Sequence, residues 1–277
     1  MSPTAIPGNL LLKNGMVITG EQKNNWTPAE IDTALWLDAA DASTITESGG
    51  AVSQWDDKSG NGRNATQSTP SNQPIFSATG LNNKQSINFD GDGDNLILPT
   101  GFLNGSPSIS VAFVMLGPLQ DNDAIFGPST SNSTGLEMVY ANVASYPTLL
   151  RVNGTNKITT GLWSTNSQPS ISTIQANSSL TSGWLNGSAV NAVDSTGISA
   201  LNFNGVYSLG TYANNVSAAN NSGLTVSANM NMSEFVISES VWSTADRQKI
   251  EGYLAHKWGL TANLPAGHPY KTVEPMP

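Results

Sequence analysis

The sequence predicts an all-β domain, a sandwich or barrel of antiparallel strands followed by one C-terminal α-helix. Three observations carry this. Short β-prone runs recur from Trp26 onward, clusters of Gly, Asn, Pro and Ser divide them, and only one segment, late in the chain, has helical periodicity. Many short strands separated by turn signals favour a sandwich or barrel over a parallel α/β sheet.

The clearest runs cover residues 34–38, 86–89, 96–98, 109–115, 136–140, 149–152, 171–175, 183–185, 206–209 and 232–237. Several alternate apolar and polar side chains, as in Ser110-Val111-Ala112-Phe113-Val114 and Ser172-Thr173-Ile174-Gln175. Such alternation puts one face inward and one outward. The helix is expected from about residue 243 to 258. Ser243 can cap it, and Asp246 lies favourably at the positive end of the helix dipole. Ile250, Tyr253, Leu254 and Trp258 share one face, and Gly259 supplies the stop. That face is expected to pack on the β-structure, and the Pro-rich tail 264–277 to follow it as an extended strap.

Residues 1–25 stand apart from this pattern. Leu10–Leu12 and Met16–Ile18 are apolar runs separated by Lys13-Asn14-Gly15, a hairpin signal. An isolated hairpin is marginal in water, so the segment reads either as an extra hairpin on the same domain or as an arm gripping a neighbouring subunit. The remaining residues, 26–277, form one domain that includes the helix and strap.

Composition narrows the function classes. A chain of 277 residues suits one large sandwich, and the absence of cysteine excludes disulfides, zinc–thiolate sites and thiol catalysis. Charged residues make up 11%, against a usual share of about 25%, with Ser, Thr, Asn and Gly in their place. A net charge of −9 would repel nucleic acid. No stretch has the roughly 18 apolar residues that span a bilayer, so membrane insertion is not expected. The first ten residues lack a basic start and a long apolar run, and no secretory leader is read there.

Motifs for catalysis are missing. A glycosidase of this architecture needs two carboxylates about the scissile bond, and no acidic Glu-x-Asp-x-x-Glu run occurs. The nearest pair, Glu234 and Glu239, is five residues apart and would face opposite sides of a strand. The two histidines, His256 and His268, lie in no metal motif, and neither a Gly-x-Ser-x-Gly elbow nor a phosphate loop is present. The chain is therefore read as non-enzymatic. Calcium is the one cofactor weighed, with Asp90, Asp92 and Asp94 in a turn and Asp57 as a further oxygen donor. The competing reading is a polar turn whose aspartates bond their own backbone. For a saccharide, Trp163, Trp184 and Tyr212 could stack on a ring, with Asn214 and Asn215 for its hydroxyls.

Four segments, taken in order, suggest a family. They are Ala34-Leu-Trp-Leu-Asp-Ala-Ala-Asp41, Trp55-Asp-Asp-Lys-Ser-Gly-Asn-Gly62, Ser86-Ile-Asn-Phe-Asp-Gly-Asp-Gly93, and Glu234-Phe-Val-Ile-Ser-Glu-Ser-Val241 leading to Trp258-Gly-Leu-Thr-Ala-Asn-Leu-Pro-Ala-Gly-His-Pro-Tyr270. Together they resemble the laminin-G-like, concanavalin-type domains of bacterial surface proteins and phage virion proteins. The resemblance implies a two-sheet antiparallel jelly-roll sandwich that binds carbohydrate or protein through loops, with Trp36, Trp55 and Trp258 in structural positions. The expected function is that of a non-enzymatic bacteriophage virion surface protein, a capsid-decorating, neck or tail-associated subunit, with other virion proteins, copies of itself or a cell-surface glycan as partners. The alternatives are an exported carbohydrate-binding or adhesion module at the cell surface and, further off, a divergent glycosidase.

Overall fold

The computed structural model describes residues 9–11, 17–19, 25–101, 103–117, 119, 123–128, 136–140, 149–152, 155–158, 161–162, 164, 168–190, 196–198, 206–211 and 227–277. It is an all-β jelly-roll sandwich with one C-terminal helix, and every ladder between its described strands is antiparallel.

The strands form two layers. The first runs Ser188–Val190, Thr181–Leu185, Ser170–Ala176, Ile109–Leu116 and Asn229–Ser238. The far edge of that last strand is shared. Leu35–Asp38 pairs with its residues 234–237 and Lys84–Asp90 with its residues 229–232, and Ile75–Leu81 lies beyond. The second layer runs Thr155–Ile158, Leu149–Val152, Leu136–Tyr140, Asp123–Pro128, Tyr207–Leu209, Leu96–Leu98, Ala65–Thr66, Ala51–Trp55 and Ile45–Ser48. Ala51 opposite Ile75 joins the layers at one edge.

Period-two alternation sorts the side chains into two cores. Val111, Phe113, Leu35, Leu37, Phe235 and Ile237 face the second layer. There the Phe235 ring lies 6.0 Å from Phe113 and 5.4 Å from Phe126, which in turn lies 5.4 Å from Tyr207. Ala112, Val114, Trp36, Ile171 and Val236 face the opposite way, towards the helix. A register shift between Val114 and Met115 sets Val114 against Glu234 and Met115 against Met232. The bulge at Ser233 lets Met232 and Phe235 both enter the inter-sheet core while Glu234 turns to the helix side.

The helix spans Thr244–Trp258. Ser243 Oγ accepts from Asp246 N at 3.1 Å and donates to Asp246 Oδ2 at 2.7 Å, and Gly259 ends the helix in the left-handed region. Ile250, Leu254 and Trp258 are fully buried on the sheet, worth about 1.5–3 kcal/mol each. The tail departs from a fully extended strap. Turns close at His268 and Lys271, and Lys271 Nζ gathers the carbonyls of Thr261, Ala262 and Leu264. One ammonium satisfying three carbonyls compacts the chain there.

At the N-terminus, Asn9–Leu11 pairs with Val17–Thr19 as a separate two-stranded sheet, with Leu10 opposite Ile18. Three hairpins of the main body use two-residue turns with positive φ at both positions: Gly49-Gly50, Asn82-Asn83 and Asn186-Gly187. These are the residues such turns require.

Candidate functional site

Two polar groupings occupy the helix side of the first layer. The first is a closed cradle about Glu234, which is fully buried. Its Oε1 accepts from Trp36 Nε1 at 2.7 Å and from the Tyr253 hydroxyl at 2.9 Å. Its Oε2 accepts from Trp258 Nε1 at 2.6 Å and pairs with Lys257 Nζ at 2.9 Å. Lys257 also reaches Asp38 at 2.6 Å, and Lys58 joins Asp38 at 2.8 Å to Asp41 at 3.0 Å. Burial pushes the Glu234 carboxyl up and Lys257 opposes it. Burial, then the charge of Glu234, raises the Tyr253 hydroxyl, so that group acts here as a donor. Glu239 lies outside this cradle, 3.2 Å from Arg63.

The second grouping is a groove of about 260 Å³ between the strands Ser170–Ala176 and Thr181–Leu185 and the start of the helix. Cross-strand register builds it, setting Gln175 opposite Ser182 and Thr173 opposite Trp184. Trp184 and Trp242 line it, and its rim carries Leu180 and Val241, 50% and 38% exposed. These two are half of the exposed large apolar side chains among the described residues. Arg247 lies with its guanidinium carbon 4.2 Å from the Trp184 ring centre, and its Nη1 donates to both oxygens of buried Glu251 at 2.7 Å. Glu251 is also 3.2 Å from His268 Nε2.

Three polar atoms of the groove are unused by the described residues. Gln175, 8% exposed, donates through Nε2 to the Trp242 carbonyl at 2.8 Å and to Ser110 Oγ at 3.3 Å, while its Oε1 accepts nothing from the described residues. Asn177 spends Oδ1 on the N–H groups of Ser179 and Leu180, leaving its amide nitrogen without a protein acceptor among them. Trp242 Nε1 is buried without a partner among the described residues. Donors and acceptors beside indole rings and an apolar rim suit a molecule with one apolar face and several hydroxyls.

Of the residues singled out for saccharide stacking, Trp184 stands in this groove. Trp163, Tyr212, Asn214 and Asn215 lie outside the described residues. Gln175, Trp242 and Arg247 were not foreseen, because only the strand register and the helix placement bring them together.

The acidic turn bonds its own backbone. Asp90 Oδ1 accepts from Asp92 N at 2.7 Å and Asp94 Oδ2 from Asp90 N at 3.1 Å. Asp57 organises a different turn, accepting from the backbone of Trp36, Ser59 and Arg63. Among the described residues no three carboxylate or histidine side chains are grouped to hold a metal ion. Trp36, Trp55 and Trp258 are buried, as their structural positions require. His256 Nε2 contacts the Tyr270 carbonyl at 2.8 Å and so ties the helix to the strap.

No protein-family model matches the sequence, and no curated protein matches it. Solved structures do resemble the fold. The binding domain of Paraclostridial Mosquitocidal Protein 1 aligns with a TM-score of 0.57 at 13% identity, over 81% of this chain and 52% of that one. Trypanosoma rangeli sialidase, in complex with a difluoro-nononic acid, gives 0.55 at 10% identity over 91% and 36%. A botulinum neurotoxin type C structure, whose cell entry is described as dependent upon interaction with two ganglioside molecules, gives 0.53 at 13% over 82% and 53%. The chain thus spans about a third to a half of the length of these proteins. What they share with it is the architecture, a β-sandwich.

Proposed function

We propose that this chain is a non-catalytic binding module that recognises glycans through the Trp184 groove. The carrying observation is the set of unspent polar atoms there, above all Gln175 Oε1 and Trp242 Nε1, next to an apolar rim. Polar groups of nearly buried residues ordinarily find protein partners, and those left over at the wall of a groove are places for a ligand to supply them. The glycan-related descriptions of two fold neighbours, the sialidase and the neurotoxin, agree with this reading. A non-catalytic role is supported by the state of the nearest carboxylate pair: Glu234 is enclosed by four donors and Glu239 is engaged by Arg63.

The proposed setting is the outer surface of a bacteriophage particle, on the strength of the resemblance of segments 34–41, 55–62, 86–93 and 234–270 to laminin-G-like domains. A shallow single-ring groove binds weakly alone, and repetition on a particle raises its avidity. An exported cell-surface module would use the same groove. The test is a glycan array read with the intact protein and with Ser182→Tyr, which places a phenol in the groove. Binding by the intact chain and at least tenfold less by the variant is expected. Equal signals from both would remove the groove from the function.

A further inference from the structure

Resting on the glycan reading of this groove, we infer that its ligand is a neutral saccharide end and that acidic sugars are disfavoured. The argument begins with Arg247, the one charged residue among the described residues that line the groove. Its Nη1 is bound to both Oε atoms of Glu251 at 2.7 Å, and Glu251 is fully buried. A guanidinium recruited by a ligand carboxylate would weaken its pairing with Glu251 and leave that buried charge poorly compensated. Stacking on Trp184 at 4.2 Å fixes the same guanidinium in place. Its remaining N–H groups are therefore oriented donors in a locally neutral setting, suited to hydroxyl oxygens.

The other groups fit hydroxyls as well. Gln175 Oε1 is an acceptor, the Asn177 amide nitrogen a donor, and the hydroxyls of Ser182 and Thr244 serve as either. Leu180 and Val241 offer apolar contact to the C–H face of a ring. The volume of about 260 Å³ falls just below the roughly 300–1,000 Å³ of ordinary ligand pockets. That is room for a terminal ring and not for an extended chain. The net charge of −9 adds a general bias against anionic ligands.

The experiment is calorimetric or ligand-observed NMR titration of the full chain with a panel of neutral disaccharides and the same disaccharides bearing a terminal sialic acid. At least one neutral member should bind ten times tighter or more than its sialylated form, and Ser182→Tyr should abolish that binding. Glu251→Gln, which frees the guanidinium, should narrow the gap to threefold or less; if that variant does not fold, the intact chain's preference decides. Sialylated members binding as tightly as the neutral ones would overturn this inference while leaving glycan binding intact. No binding by a folded chain to any member of either panel would overturn both.

Discussion

The Glu234 cradle and the Trp184 groove lie on the same face of the same sheet, yet they treat polar atoms in opposite ways. In the cradle, both carboxylate oxygens of Glu234 are engaged, by two indole N–H groups, a phenol and an ammonium. In the groove, an amide oxygen and an indole N–H of nearly buried residues lack protein partners among the described residues. The first arrangement ties the helix to the sheet around a carboxylate that is closed to solvent. The second leaves interaction energy unrealised until something enters. On the proposed reading polarity on this face has two uses, and the hydrogen-bond accounting separates them.

Breaking the cradle should have the largest effect. Glu234→Ala leaves two buried indole donors and the Tyr253 hydroxyl without their acceptor, with Lys257 keeping Asp38 alone, and should cost about 3–5 kcal/mol, read as a lower denaturant midpoint. A loss under 1 kcal/mol would mean the cradle does not hold the helix. Asp94 tests an intermediate case, a carboxylate 5% exposed that accepts one backbone N–H from Asp90. Burial first, then Asp90 and Asp92, push it up to about 6. Its folded form thus holds a proton more strongly than the unfolded chain, so its penalty is absent below about pH 4 and complete above about pH 6. Asp94→Asn should accordingly raise stability by about 1 kcal/mol at pH 7.5 and leave it unchanged near pH 4. A gain of equal size at both pH values would mean charge is not the cause.

The groove should respond in the reverse sense. Ser182→Ala and Thr244→Ala should shift stability by no more than about 0.5 kcal/mol each while weakening glycan binding, which thermal melts and titrations on the same samples would compare. A destabilisation as large as that of the cradle variant would erase the contrast. The smallest effect on the sandwich is expected from removing residues 1–24, since Trp26 N still donates to the Pro275 carbonyl and Asn25 still contacts Glu274. The melting midpoint should hold, and light scattering should show a smaller assembly if those residues grip a neighbour. An unchanged mass would sink the arm reading.

Much of the first layer was legible in the sequence. The strands with clear alternation, such as Ile109–Leu116 and Ser170–Ala176, appear within a residue or so of the expected runs, and the helix ends at the residues that cap it. Ala51–Trp55, Ala65–Thr66, Ile75–Leu81 and Thr155–Ile158 were among the strands that escaped notice, and three others show why. Ile45–Ser48 and Ser188–Val190 are largely solvent-facing, so they show no apolar period and are set by the tight turns beside them. Asp123–Pro128 has Ala124, Ile125 and Phe126 all buried, which removes the alternation that marks a half-buried strand. For the site, one aromatic could be picked out. Its neighbours come from residues 175, 242 and 247, and no local pattern announces that meeting.

The strand Asn229–Ser238 has a consequence for how the chain is made. It pairs with Ile109–Leu116, Leu35–Asp38 and Lys84–Asp90, partners roughly 120 to 200 residues earlier in synthesis. Until it emerges from the ribosome, the edge of Ile109–Leu116 and both N-terminal strands lack their central neighbour, and the helix that covers them follows later still. Folding should then be slow and concentrated at the end of translation, with the incomplete chain exposing sheet edges that invite association. A nascent chain cut short just before residue 229 would carry most of the sandwich's apolar residues and lack the strand that joins its first layer.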